Sequence, residues 1–439
     1  MKLKRLLIIS LSFCWLGSSS QVIKEIRPGS LSSITKIWEN LNLSSKIHTG
    51  LVIYDLNKEN WIFGYRDDQF FTPASCTKLL TMYTALRYLD DDITSAYYKV
   101  KDDTMMVWGG GDPGTLYPDI HGISPMVEFL KSTDKTIVFS NHHFKTERYG
   151  SGWSWDDYPE DYQCERTAFP IYGNRIWIDR FADSIIITPK YFEEITTIKP
   201  DTAEEQGRNE WGNSYFYNYD PSLKESHVAV PVSFFENDMR MMWSDATGKI
   251  IHFKDIPISG NVEQIKGTAR DSLIKWMMYE SDNFIAEQLI LACAMKQTSE
   301  MNETDFIEKV IQGPLMILPD KIDWVDGSGL SRYNMITPRS LVVLLQQLIK
   351  QHGLDFVKSM LPAGGKSGTL ITDYRGINGQ PYVFAKSGTL RHMYCLTGIL
   401  VTKSGKVLLF SWMNNEIPGR IAPLKQSMEY FFTYLRDNY

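Results

Sequence analysis

Three short polar motifs, set far apart along the chain, constrain this fold more than any other feature. Ser75-Cys76-Thr77-Lys78 puts a lysine one helical turn after a serine, on the same helix face. Ser281-Asp282-Asn283 comes much later, with Asn283 standing 205 positions beyond Lys78. Lys386-Ser387-Gly388-Thr389 follows, with Lys386 standing 105 positions beyond Ser281. A serine hydroxyl is a poor nucleophile at neutral pH and needs a neighbouring base. A lysine can serve if burial or a second cation lowers its pKa. A chain using these residues together must fold three remote segments into one cleft.

Each motif alone is weak. The S-x-x-K pattern occurs four times, at Ser33, Ser75, Ser132 and Ser272. Only the Ser75 copy follows a proline and opens a helical pattern, carried by Leu79, Leu80, Met82, Tyr83, Leu86 and Leu89. A helix N-terminus there favours developing negative charge. Ser259-Gly260-Asn261 also fits S-x-N but reads as a turn, whereas Ser281 precedes the apolar run Phe284, Ile285, Leu289, Ile290, where a plain helix cap is the competing reading. The pentapeptide Lys-Ser-Gly-Thr-Leu stands at both Lys366 and Lys386. The second copy lies between apolar strand-like runs and suits a site strand. The first follows Pro362-Ala363-Gly364-Gly365 and is expected to be a surface loop far from any chemistry. In this order, each on its expected element, the three motifs form the set used for serine acyl transfer.

The surrounding texture is that of an α+β protein. Gly50–Tyr54 and Trp61–Tyr65 read as a hairpin; helical periodicity covers Ala269–Ala294, Ile336–Gln351 and Leu424–Tyr434. Tyr382–Ala385, Cys395–Val401 and Val407–Trp412 read as antiparallel strands. Between about Asp90 and Ser259 the chain is strand-like and irregular, which predicts a helix–strand core interrupted by a β-rich insertion.

At this point the sequence resembles the low-molecular-mass class C penicillin-binding proteins, the D-Ala-D-Ala carboxypeptidase/endopeptidase family. Beyond the triplets, Gly109–Pro113, Gly152–Asp157 and Asp326-Gly327-Ser328-Gly329-Leu330-Ser331-Arg332 match its motifs in order. The resemblance implies a serine β-lactamase/transpeptidase-like core, an antiparallel sheet flanked by helices, built from residues 21–95 and 263–439. Residues 96–262 are then an inserted β-rich region of two small nested domains. It implies that Ser75 attacks the carbonyl between two D-alanines with Lys78 as base and Ser281 as proton relay, while Asn283 orients the peptide. Lys386, Ser387 and Thr389 would hold the terminal carboxylate, and the N–H groups of Ser75 and Thr389 the oxyanion. Trp153, Asp156 and Arg332 would line a pocket for the side chain preceding D-Ala. No metal or cofactor is called for. The implied partners are peptidoglycan stem peptides, with β-lactam antibiotics as covalent inhibitors. The sequence departs from the family in having Ser387 where threonine is commoner.

Residues 1–20 have the form of an export signal: Lys2, Lys4 and Arg5, an apolar run Leu6–Leu16, then Gly17-Ser18-Ser19-Ser20. The expected location is the periplasm, with the mature chain soluble or peripheral to a membrane. A net charge of −6 offers no basic face for nucleic acid. Cys76, Cys164, Cys293 and Cys395 fit no zinc or C-x-x-C spacing and are read as structural. A β-lactamase is the nearest rival, but no E-x-x-x-N stretch follows Ser281 to activate a deacylating water. A silent wall-binding or β-lactam-sensing protein is the second rival, which the complete catalytic set disfavours.

Overall fold

The computed structural model describes residues 32–439 other than 42, 44–46, 121–123, 183 and 202, so the expected export signal lies outside the described residues. Its centre is a five-stranded antiparallel sheet in the order Val383–Leu390, Met393–Val401, Val407–Asn415, His48–Asp55, Asn60–Tyr65. The period of two along each strand sends alternate residues to opposite faces. Leu51, Ile53, Leu408, Phe410 and Trp412 enter one core with the helices Ser32–Asn40 and Ala422–Asn438. Val52, Leu409 and Met413 enter another with the helices Lys78–Tyr88, Arg270–Tyr279, Asn283–Thr298 and Pro338–His352. With both faces covered, every residue of Val407–Asn415 is buried, and its sequence is correspondingly apolar with little alternation. Each fully buried Leu or Phe contributes about 2 kcal/mol. The sheet is therefore a rigid support for the strand Val383–Leu390 at its edge.

The single periodic run Ala269–Ala294 is in fact two helices, Arg270–Tyr279 and Asn283–Thr298. The break falls at Ser281, whose φ of +60° no helix accommodates. Asp282 caps the second helix by accepting from the Ile285 N–H at 2.8 Å.

The chain leaves this core along Asp92–Lys101 and returns along Glu263–Ala269, and these two strands pair antiparallel. With Thr104–Gly109, Thr136–Ser140 and Ile251–Phe253 they form a mixed five-stranded sheet. Two three-stranded sheets complete the segment, and one apolar cluster containing Trp108, Phe139, Phe169, Tyr217 and Trp243 is common to it. The segment is not wholly strand-like: it holds helices Pro125–Ser132 and Glu236–Thr247. The second escapes the sequence pattern because it buries only Met239, Met242, Trp243 and Thr247 beneath a polar surface. Among the described residues no helix is long and apolar enough to cross a membrane. The four described cysteines are unpaired and buried, and burial raises Cys76 to about 11, which keeps it a thiol.

Two glycines let the core segments close on each other. Gly388 needs a bare backbone because a Cβ there would sit 2.5 Å from the Pro73 carbonyl oxygen. Gly329 combines a φ of +81° with a virtual Cβ only 1.9 Å from the Ala74 carbonyl oxygen. Gly329→Ala is expected to cost about 2–3 kcal/mol through strain and a forced shift of the Ala74 turn. Urea unfolding measures it; a midpoint matching wild type would contradict the close approach.

Candidate active site

Ser75 sits in a single 3-10 turn, Ala74–Thr77, that leads directly into the helix starting at Lys78. The turn begins at Ala74 with φ +50°, a conformation costly for a non-glycine residue and commonest where function demands it. Lys78 Nζ lies 3.0 Å from Ser75 Oγ, 2.6 Å from Asn283 Oδ1 and 2.7 Å from the Ser328 carbonyl oxygen. The lysine is fully buried. Burial, assisted by the charge of Lys386, lowers its pKa to about 7. A neutral amine has two N–H donors and one lone pair. Asn283 and Ser328 take the donors, and the lone pair is left for the Ser75 hydroxyl.

Lys386 is buried as well, and burial lowers it to about 8. Its Nζ donates to Ser281 Oγ at 2.9 Å and to the Ser387 carbonyl at 2.7 Å. The strand carrying it is the sheet's edge strand, and on the open edge the Ala385 N–H donates outward to the Pro362 carbonyl at 2.9 Å. The two-residue period puts the Ser387 and Thr389 N–H groups on that same edge. A Cβ on Gly388 would stand 3.0 Å from the Ser75 nitrogen, so this edge runs beside the nucleophile turn.

Around the base stands a buried polar frame. Asp326 accepts from the Gly329 N–H at 2.8 Å, the Ser331 N–H at 2.6 Å, Asn334 Nδ2 at 2.7 Å and Trp153 Nε1 at 2.9 Å. Glu287 accepts from the Ser328 N–H at 2.8 Å and pairs with Arg166 at 3.4 Å; Arg166 also meets Glu303 at 3.1 Å. Burial, with the nearby Asp326 charge, pushes Glu287 up to about 7. Together these groups hold the Ser328 peptide whose oxygen faces Lys78.

Of the residues singled out in the sequence, the fold brings Ser75, Lys78, Ser281, Asn283, Lys386 and Ser387 together, with the Thr389 backbone on the same edge. Trp153 is half-buried against Asp326. Asp156 is exposed and accepts from Ser154 at 2.6 Å; Arg332 is exposed, with Nη1 4.0 Å from Met393 Sδ. The expectation for the first Lys-Ser-Gly-Thr-Leu copy needs correction. It is a loop with an exposed Lys366, but it is not remote, because Thr369 Oγ1 lies 2.8 Å from Ser387 Oγ. Residues 362–364, just before it, pair with the edge strand, which no local pattern announces. Sequence reasoning also missed the Ser328 carbonyl, Glu287 and Arg166. A glutamate inside the apolar run Phe284–Leu291 was the available signal for Glu287. Beyond Ser281 and Asn283 a cavity of about 380 Å³ opens towards Tyr162, Trp177 and Trp276.

Comparison with known proteins agrees with this geometry. The profile of the D-Ala-D-Ala carboxypeptidase 3 (S13) family matches residues 31–197 and 262–429. The chain is 38% identical over 431 residues to a D-alanyl-D-alanine carboxypeptidase of an Actinomadura species, covering 86% of this chain and 79% of that one. It is 23% identical over 432 residues to the D-alanyl-D-alanine carboxypeptidase DacB of Haemophilus influenzae, covering 86% and 89%. The crystal structure of penicillin binding protein 4 from Haemophilus influenzae superposes with a TM-score of 0.72 at 19% identity, over 92% of this chain and 99% of that one. The fold is thus the α+β β-lactamase/transpeptidase-like one, with residues 198–261 inserted relative to the family profile.

Proposed function

The chain belongs to the D-Ala-D-Ala carboxypeptidase 3 (S13) family, and from that premise we propose how its own residues perform the serine DD-peptidase reaction on peptidoglycan. The observation that carries the reading is the 3.0 Å contact between Ser75 Oγ and a buried lysine poised near pKa 7. Ser75 Oγ attacks the carbonyl between two D-alanines while Lys78 Nζ takes its proton. The oxyanion is met by the Ser75 and Thr389 N–H groups, the latter on the strand's open edge. Ser281, in contact with Lys386, passes a proton to the leaving amine, so the C–N bond breaks and D-alanine or a cross-linked stem departs. Water then cleaves the ester on Ser75. Lys386, Ser387 and Thr389 hold the terminal carboxylate, and Asn283 orients the peptide from a position secured by its Nδ2 bond to the Tyr162 carbonyl at 3.0 Å.

Penicillin enters the same cleft as a covalent inhibitor; a solved relative, penicillin binding protein 4 of Haemophilus influenzae, has been crystallised with a novel β-lactam. On the same reading Trp153, Asp156 and Arg332 rim the pocket for the residue before D-Ala. The inserted region 96–262, read as two nested domains, walls one side of the cleft. Export to the periplasm follows from the signal-like residues 1–20 and from the location of the substrate.

A labelled penicillin is expected to acylate the protein once, on Ser75, and to persist, since no E-x-x-x-N stretch follows Ser281 to supply a deacylating glutamate. Intact-mass spectra of wild type and Ser75→Ala test this; an adduct surviving in Ser75→Ala, or rapid turnover by wild type, would sink it.

The acylation rate should depend on neutral Lys78. Its pKa is lowered, so the base is free above about pH 7 and the rate falls about tenfold per unit below that. Above about pH 8 Lys386 loses its charge and carboxylate capture weakens. A pH–rate profile rising steadily into acid would rule out the lysine base.

The two lysines of the duplicated motif should behave differently. Lys386→Ala is expected to slow acylation roughly 30- to 150-fold, as for loss of a charge-assisted contact of about 2–3 kcal/mol. Lys366→Ala, whose amine is exposed, should change it by no more than about threefold. Stopped-flow acylation rates, with circular dichroism as a folding control, decide between them; greater damage from Lys366→Ala would invert the assignment.

A further inference from the structure

The segment leading into the first Lys-Ser-Gly-Thr-Leu copy is laced to the strand that carries the second. Gly364 N–H donates to the Val383 carbonyl and Ala385 N–H to the Pro362 carbonyl, both at 2.9 Å, and Ala363 pairs antiparallel with Phe384. The segment thus extends the sheet by one short rung and then turns back on itself. Lys366 and Ser367 N–H both donate to the Ala363 carbonyl, Ala363 N–H donates to Ser367 Oγ at 3.1 Å, and Gly365 N–H donates to the Leu370 carbonyl. Leu370 is fully buried and anchors the far end. On its other side the loop abuts Tyr279: a Cβ on Gly368, at φ +56°, would sit 2.7 Å from the Tyr279 carbonyl oxygen, two residues before Ser281. The closed loop presents one exposed hydroxyl to the site, Thr369 Oγ1, at 2.8 Å from Ser387 Oγ.

We infer that Thr369 is a positioning residue for recognition of the substrate's terminal carboxylate, acting through Ser387. This rests on the reading that the Lys386–Thr389 strand holds that carboxylate. A hydroxyl has one proton to donate and two lone pairs. When Ser387 gives its proton to a carboxylate it can only accept from Thr369, so the Thr369 O–H fixes the direction of the Ser387 O–H and polarises it. Ser387 lacks the β-branch that would restrict χ1, so its hydroxyl has more orientations to lose than a threonine's. The 362–370 loop supplies the constraint from outside the strand.

The test compares second-order acylation by two thioester probes, identical except that one ends in a free carboxylate and the other in a carboxamide. Thr369→Val should slow the carboxylate probe, and benzylpenicillin with it, about five- to tenfold while changing the carboxamide probe less than twofold. Thr369→Ser should restore the rate to within twofold of wild type. In a Ser387→Ala background Thr369→Val should add less than a further twofold, since its action passes through the missing hydroxyl. Equal losses on both probes, or full additivity in the Ser387→Ala background, would overturn the positioning role and leave a packing effect. So would an unchanged carboxylate rate in Thr369→Val. A wild type that acylates equally fast with both probes would instead strike at the carboxylate reading of the strand itself, and the inference would fall with it.

Discussion

Two buried lysines in one cleft are the constraint around which this molecule is arranged. Moving an ammonium out of water is expensive unless it is paired, hydrogen-bonded or allowed to lose its proton. Lys78 lowers the cost by the last route, while Lys386, charged below about pH 8, is held by hydrogen bonds to Ser281 and the Ser387 carbonyl, and its charge pushes Lys78 further towards neutrality. Opposing this, Asp326, Asp282 and Glu287 raise Lys78 from positions around it. The base is therefore set by a balance between burial and a ring of carboxylates. Those carboxylates must in turn be satisfied, which explains the density of hydrogen bonds on Asp326 and the Arg166 pair on Glu287.

The segment between Asp92 and Ala269 contributes much of that satisfaction. Asp282 receives the Tyr117 hydroxyl at 2.6 Å and faces Arg175 at 3.5 Å. Asn283 donates to the Tyr162 carbonyl, Asp326 accepts from Trp153, and Glu287 pairs with Arg166. Every one of these partners lies between the first and second motifs in sequence. The long excursion is thus coupled to the geometry of the site: it supplies the far side of each carboxylate that tunes Lys78. Removing one partner from such a buried pair leaves an uncompensated charge, which costs about 3–5 kcal/mol.

Much of the fold could be read from local pattern. The hairpin at Gly50–Tyr65, the helix after Lys78 and the strands flanking the Lys403–Lys406 turn all follow their apolar periodicity. These stretches were legible because nearest-neighbour burial decides them. The helices Glu236–Thr247 and Glu303–Gln312 were not read: each presents only a narrow buried stripe amid charged residues. The periodic run Ala269–Ala294 concealed the break at Ser281, whose positive φ is tolerated only because the surrounding contacts over-determine it.

For the site, the sequence by itself determined the chemistry: a serine with a lysine one turn away, a second serine with an amide, and a lysine on a strand, in the order that serine acyl transfer uses. Residue type and short spacing carry that information, because a helical turn and a strand pleat translate sequence distance directly into facing side chains. Only the tertiary structure decided what surrounds those groups. It placed the Ser328 carbonyl and Glu287 beside the base, and it set Thr369 against Ser387 although eighteen positions separate them. It also separated two identical pentapeptides into an edge strand and the loop that braces it. Identical residues cannot encode that difference. It arises from which backbone edge is left unpaired when the sheet closes, and long-range pairing settles that only once the whole core is assembled.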